Sequence, residues 1–369
     1  MKIKDIAEKI NEIIPVKMAL DWDNVGLLIG DPKKDVTKIL LTIDTTKEVL
    51  AEAKREKIDL IISYHPVIWD GLKKITTDDS TYVVYELIRS NIAVYSIHTA
   101  LDILTGGVND GLAEILGITN PKPIGDYIQY SDGDNYKMIV FVPADSLAKV
   151  SNAVFAAGAG AIGNYSNCGF GSEGTGTFKP LEGAKPAIGK KGTLEKVNEI
   201  RFETIVPSPK LGAVIAAMKK AHPYEMPAYD IVKLYNEDLH GLGRIGMLDK
   251  PAKISELVKN VKKVTGAKAI GLVGDGKRIV KKAAVCAGTC GKIINTIIAQ
   301  KADLYLTGEL KHHEAIAAQE ANLTCICLSH TNSERFILKK LAKQLQKPLK
   351  DTIIKISKKD SDPFRWMSI

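Results

Sequence analysis

Three of the seven histidines in this sequence end apolar runs. Leu60-Ile-Ile-Ser-Tyr-His65 is stopped by Pro66, and Ile92-Ala-Val-Tyr-Ser-Ile-His98 is followed four residues later by Asp102. Thr324-Cys-Ile-Cys-Leu-Ser-His330 is followed four residues later by Glu334. In open α/β sheets ligands bind at the carboxyl ends of the strands, so His65, His98, Asp102, His330 and Glu334 are candidates for one crevice. Three imidazoles and two carboxylates suit one or two borderline divalent ions such as zinc, iron or manganese. A carboxylate can bridge two ions whereas an imidazole normally does not, which makes Asp102 and Glu334 the natural bridges.

Blander readings compete at each position. A single strand-end histidine is more often a hydrogen-bonded structural residue than a ligand. Thr331-Asn-Ser-Glu334 before an apolar helix reads as a capping box. His312-His313-Glu314, following Thr307-Gly-Glu309, either lines the same crevice, with His313 and Glu309 as proton-carrying groups, or faces solvent. Cys286 with Cys290, and Cys325 with Cys327, resemble zinc spacing only loosely, and the second pair fits a buried strand. Ala287-Gly-Thr-Cys-Gly291 follows a strand and opens a helix as an anion-binding nest would, but without Walker A spacing it reads better as a structural glycine turn. No Gly-x-Ser-x-Gly elbow is present.

The elements that must position these residues alternate. Strands are expected at 38–44, 59–63 and 92–97, with helices at 47–57, 81–90 and 110–116 after an N-terminal amphipathic helix ended by Pro15. This is the pattern of a parallel, three-layer α/β sheet. Between about 126 and 243 two similar units follow each other. Strand 136–142 leads to helix 146–157, and strand 200–206 leads to helix 210–221, each with a further extended segment. Tandem units of this kind suggest a ferredoxin-like α+β domain. From 244 the α/β pattern resumes, with strands near 269–273, 283–287, 304–307 and 323–328 and helices at 254–265, 293–300, 310–318 and 332–346. The expected organisation is one α/β domain in two halves, 1–125 and 244–369, with an inserted domain at 126–243.

Composition agrees with a globular chain. Its 369 residues are 45% apolar and 25% charged, which excludes a disordered, collagen-like or disulfide-stapled protein. No apolar run is long enough to span a bilayer, and the N-terminus does not read as a signal peptide. Five scattered cysteines suit a reducing cytoplasm. From Ile245 onward there are 23 Lys/Arg against 11 Asp/Glu. These lysines form no aromatic-interleaved motif, so solvated helix faces explain them better than a nucleic-acid partner.

Motifs along nearly the whole chain carry a resemblance. They are Trp22-Asp-Asn-Val-Gly-Leu-Leu-Ile-Gly30, Ser63-Tyr-His-Pro66, His98-Thr-Ala-Leu-Asp102, Gly107-Val-Asn109, Thr307-Gly-Glu-Leu-Lys-His-His313, Ser329-His-Thr-Asn-Ser-Glu-Arg335 and Asp362-Pro-Phe364. The chain resembles the GTP cyclohydrolase I type 2 homologues, the Nif-three-like dinuclear metal-centre proteins. The resemblance implies a two-metal site at His65, His98, Asp102, His330 and Glu334, and a hollow homohexamer built as a trimer of dimers. It also implies metal-dependent hydrolysis of a small, nucleotide-like substrate. The segments 158–168 and 222–230 are similar to the PII/CutA-like domain that longer members insert, which gives His222 a structural turn role. The sequence departs from the pattern of many bacterial members at Tyr64, where they carry a second histidine. Glu309 stands where many relatives have Asp. A non-enzymatic metal-binding scaffold is the alternative that Tyr64 raises.

Overall fold

The computed structural model describes residues 1–77, 80–124, 135–162, 165–234 and 240–364. Met1–Tyr130 and Asp238–Ile369 make one compact unit, and Ser131–Glu237 makes another. The division expected at 126 lies outside the described residues. At the other end the chain has rejoined the larger unit before 244, since Gly241 N–H donates to Ile103 O at 3.0 Å and Leu242 O accepts from Ile124 N–H at 3.2 Å.

The larger unit holds two sheets. The first is ordered Gly26–Ile29, Ala93–Ser96, Leu60–Ser63, Lys38–Thr42, Ile353–Ile356, parallel except for its first strand. The second is ordered Gly271–Val273, Thr324–Cys327, Leu304–Thr307, Ile279–Cys286, Arg244–Lys253, Ile118–Lys122, with only the three strands from 279 to 327 mutually parallel. Each half therefore lends an edge strand to the other's sheet. Ile118–Lys122 pairs with Arg244–Lys253, and Ile353–Ile356 pairs with Lys38–Thr42. All of these strands but Lys38–Thr42 escape the sequence pattern, two of them for a local reason. Pro121 and Pro251 sit inside two of them, at a sheet edge and at a register shift, where a missing N–H is tolerated.

The two-residue period of the strands decides the layering. Ile39, Leu41, Leu60 and Ile62 of the first sheet share one core with Val285, Leu304, Leu306 and Ile326 of the second. Ile3, Ile6 and Ile10 of helix Ile3–Ile13 enter the same core with Leu338, Leu341 and Leu345 of helix Leu338–Gln346. The opposite faces pack outward: Leu40, Ile61 and Val94 meet helices Lys47–Glu56 and Tyr82–Arg89. Ala284, Tyr305 and Cys325 meet helices Ile294–Ala299 and His312–Glu320. Each sheet is thus the middle of a three-layer α/β sandwich, and the two sandwiches share their inner helical layer.

The inserted unit has the strand order Gly169–Phe178, Glu195–Pro207, Asn135–Pro143, Tyr229–Lys233, with every neighbouring pair antiparallel. Helices Leu147–Ala156 and Leu211–Ala221 cover one face, burying Met138, Val140, Val142, Phe202 and Val206. This is the ferredoxin-like arrangement that the tandem units suggest. His222 serves its turn: Nε2 donates to Phe141 O at 2.9 Å, and Nδ1 accepts from Tyr224 N–H at 3.0 Å.

Candidate metal centre

The candidate ligands come from the carboxyl ends of both sheets rather than from one. His65 and His98 follow strands Leu60–Ser63 and Ala93–Ser96 of the first sheet, and helix His98–Ile103 carries Asp102. His330 and Glu334 follow strand Thr324–Cys327 of the second, on the short helix His330–Glu334. The expected helix 332–346 is broken here. A single 3₁₀ turn, Arg335–Ile337, separates the short helix from Leu338–Gln346. The break frees Glu334 from the capping role: no side-chain cap bond forms at this helix start, and its carboxylate lies between two imidazoles instead.

His65, His330 and Glu334 present ligand atoms that all lie within 4.8 Å of one another. Glu334 Oε1 is 3.2 Å from His330 Nε2, and Oε2 is 3.4 Å from His65 Nε2. Oε2 is buried and makes no hydrogen bond among the described residues. The ring of His98 stands 5.2 Å from that of His65. Asp102 is half-buried beside them and accepts a hydrogen bond from the Tyr64 hydroxyl.

Behind each histidine stands a carboxylate. His65 Nδ1 donates to Asp44 at 2.8 Å, His98 Nδ1 to Asp23 at 2.8 Å, and His330 Nδ1 to Glu309 at 3.0 Å. Such a partner fixes the tautomer that leaves Nε2 free, which is the arrangement of histidines that ligate metal. No sequence signal singles out Asp44 or Asp23 as these partners: Asp44 lies two residues past strand Lys38–Thr42, and Asp23 lies in the Asp-Trp-Asp-Asn turn. Glu309 also accepts from Thr289 Oγ1. His313, by contrast, is exposed on helix His312–Glu320, and no bond among the described residues ties it to the cluster. The cysteines take no part in the ligand group found among the described residues: Cys286 and Cys325 are buried in the outer core of the second sheet.

The backbone is shaped around the cluster. Gly288 has φ +69°, and a Cβ there would stand 3.0 Å from Glu334 Oε1 and 3.5 Å from His330 Nε2. Ser329, just before His330, holds φ 72° and ψ 152°, a region almost reserved for glycine. Its hydroxyl donates to Asp362 at 2.7 Å, so the Asp-Pro-Phe segment pins the strained turn that aims His330.

Burial alone would strip the proton from His65, but the hydrogen bond to Asp44 and the nearby charge of Glu334 outweigh it and raise its pKa to about 10. Burial is likewise overcome at His330, where Glu334 and Glu309 raise the pKa to about 9. Glu334, despite burial, is held at about 2 by His330 and His65. Burial, with Glu334 nearby, pushes Asp102 up to about 6. A divalent ion entering here would have to displace the imidazole protons, so any uptake is expected to weaken as pH falls.

Tyr64 is fully buried, and burial first, then the carboxylates of Asp102 and Glu334, push its phenol well above the ordinary value. It therefore acts as a hydrogen-bond donor that favours the carboxylate form of Asp102. Tyr64→Phe is expected to raise the Asp102 pKa further and to weaken metal binding about 10-fold near pH 6. The deficit should shrink towards pH 8, where Asp102 is ionised in either protein. Metal titrations at the two pH values check this, and a deficit independent of pH would count against it.

A family model described as Duf34/NIF3 (NGG1p interacting factor 3) matches residues 1–363. The chain belongs to the Duf34/NIF3 family. Members similar to it include proteins named GTP cyclohydrolase 1 type 2 homolog. The one from Halalkalibacterium halodurans is 38% identical over 96% of this chain and 95% of its own length. The one from Bacillus subtilis is 37% identical over 99% and 98%. Among solved structures, a Bacillus cereus protein related to NIF3 superposes with a TM-score of 0.84 at 36% identity, covering 100% of this chain and 99% of that one. The Duf34/NIF3 assignment agrees with the fold and motifs above.

Proposed function

We propose that this chain is a metal-dependent hydrolase with a dinuclear centre held by His65, His98, Asp102, His330 and Glu334. The observation that carries the reading is the buried Glu334 carboxylate, set between the Nε2 atoms of His65 and His330 with one oxygen lacking a hydrogen bond. An acceptor-only group facing imidazoles that are each braced from behind fits a divalent cation better than it fits a closed salt bridge. Zinc, iron and manganese all suit this donor set.

Bound divalent ions supply Lewis acidity and make water acidic near neutral pH. The chain's own residues do the rest. Asp44, Asp23 and Glu309 hold the three imidazoles in one tautomer, and Tyr64 keeps Asp102 aimed. In this reading Glu309, ionised and bonded to His330 Nδ1, or the exposed His313, which has no bond to the cluster among the described residues, takes up or returns a proton. A cavity of about 240 Å³ borders Glu309 and Ser329, lined by Ile270, Leu310, Cys327 and Phe364, and offers room for part of a small substrate. The names of the relatives favour a nucleotide, with GTP cyclohydrolysis as the most specific form. Assembly as a homohexamer in the cytoplasm belongs to the same reading. No described helix is long and apolar enough to cross a membrane.

The test is a panel of nucleotides and phosphoesters assayed with manganese, iron and zinc. Turnover is expected only with added metal and is expected to vanish in the double variant His65→Ala, Asp102→Ala. Equal rates in metal-stripped wild type would refute the hydrolase. The second reading, a metal-holding scaffold, draws on Tyr64, whose hydroxyl occupies an oxygen of Asp102. Stoichiometric metal without turnover of any substrate in the panel would favour it.

A further inference from the structure

The two described tryptophans both stand beside the cluster, and both are largely exposed: Trp22 by 64% and Trp69 by 53%. Indole is the most costly side chain to leave in water, so two exposed together need a reason. Trp22 packs against His98 with centroids 5.9 Å apart and planes at 74°, and Trp69 packs against the same imidazole at 5.2 Å and 85°. Trp69 also meets His65 at 5.9 Å. Each near-perpendicular contact with His98 covers only a small part of an indole and leaves the rest open.

The loops that carry the two indoles are built and joined. Asn24 Nδ2 donates to Ile68 O at 2.7 Å, tying the turn after Trp22 to the residue before Trp69. Asp23 is anchored in turn by His98 Nδ1 at 2.8 Å and Thr99 N–H at 3.0 Å, and Leu20 N–H donates to the Thr99 hydroxyl at 2.9 Å. Trp69 follows His65 by four residues. Both rings are thus positioned by the residues that position the histidines, before any ligand arrives.

We propose that Trp22 and Trp69 form an aromatic-ring subsite that takes the planar nitrogen heterocycle of the substrate, a nucleobase, while its oxyanion part lies over the histidine cluster. Aromatic side chains stack on every base because each base has a π face, and such stacking is sequence-tolerant. A preorganised pair of indoles loses little conformational entropy on binding. This subsite rests on the hydrolase reading for its place in a reaction, but ring binding is testable without turnover.

The experiment follows indole emission in a Trp366→Phe background, so that the signal comes from Trp22 and Trp69. Guanosine, GTP and ribose 5-phosphate are titrated into metal-free and zinc-loaded protein. Saturable quenching is expected with guanosine and GTP and not with ribose 5-phosphate. Trp22→Ala and Trp69→Ala are each expected to weaken guanosine binding by about 5- to 100-fold. Trp22→Phe and Trp69→Phe should restore most of that loss, and metal stoichiometry should stay unchanged in all four variants. Absence of saturable quenching by the base-bearing probes, or alanine variants that bind as wild type does, would overturn the subsite. So would a fall in solution mass in the alanine variants, because the indoles would then belong to a contact between copies of the chain. Failure of all phosphoesters to turn over, with quenching intact, would instead remove the hydrolase and leave the ring site standing.

Discussion

Glu334→Gln is expected to abolish stoichiometric metal binding, weakening it by more than about 100-fold, beyond the usual effect of losing a residue that merely supports a ligand. The amide keeps the shape but loses the charge that sits between His65 and His330. It also puts an N–H₂ where one carboxylate oxygen faces an imidazole nitrogen. The same change should destabilise the metal-free protein by about 1–3 kcal/mol, because both imidazoles lose their buried counter-charge.

The pH dependence of that loss is specific. Glu334 is held at about 2, below the carboxylate's ordinary 4.5, so its contribution is present above 4.5 and disappears as pH falls through about 2. His330 and His65 are raised from 6.5 to about 9 and about 10, so theirs is complete below 6.5 and disappears as pH rises through those values. The stability difference between wild type and Glu334→Gln, both without metal, should therefore be widest between pH 4.5 and 6.5. It should narrow on either side. Urea unfolding across pH checks this, and a flat difference would mean that Glu334 serves only packing.

Arg244→Leu is expected to cost about 3–5 kcal/mol, the usual penalty for removing one member of a buried ion pair. Arg244 is 1% exposed. Its guanidinium meets Asp110 Oδ2 at 2.7 Å and donates to Gly241 O at 2.5 Å, Gly243 O at 2.6 Å, Leu104 O at 3.2 Å and Ile103 O at 3.3 Å. One side chain thus closes the end of helix His98–Ile103, holds helix Val108–Leu116 through Asp110, and fastens both to strand Arg244–Lys253. Leucine fills part of the volume but leaves a carboxylate and four carbonyls without that donor. Helix His98–Ile103 carries His98 and Asp102, so metal affinity should fall with stability. Arg244→Lys should recover only a small part, since one ammonium cannot reach all five acceptors. An unfolding free energy within 1 kcal/mol of wild type would show that the network is dispensable.

Much of the α/β framework was legible because its cause is local. Helix Ile254–Thr265 and strand Leu304–Thr307 have the bounds their apolar periods imply, and His65, His98 and His330 announce themselves by following buried runs. Periodicity reports which face of an element is buried, and strand-end position reports which residues emerge at a crevice. Neither says which sheet an element joins. The tertiary structure decided that the histidines come from two sheets and that each half completes the other's sheet with an edge strand. It also decided that Asp360, 317 residues from Ile43, accepts that residue's N–H and pins Arg335 at the break after Glu334.

The same limit hid the supporting residues. Asp44 lies 21 residues from His65 and Asp23 lies 75 from His98, so no spacing rule pairs them. Arg244 reads as any polar residue in a glycine-rich link, because what makes it central is the three acceptors of Ile103, Leu104 and Asp110 that other elements bring to it. The exposure of Trp22 and Trp69 is likewise a property of the folded surface. From the sequence alone came the elements and the residue types able to bind metal. Only folding brought their charges close enough, in a medium poor enough in water, to raise two imidazoles, hold Glu334 ionised and direct His65, His330 and Glu334 towards one point.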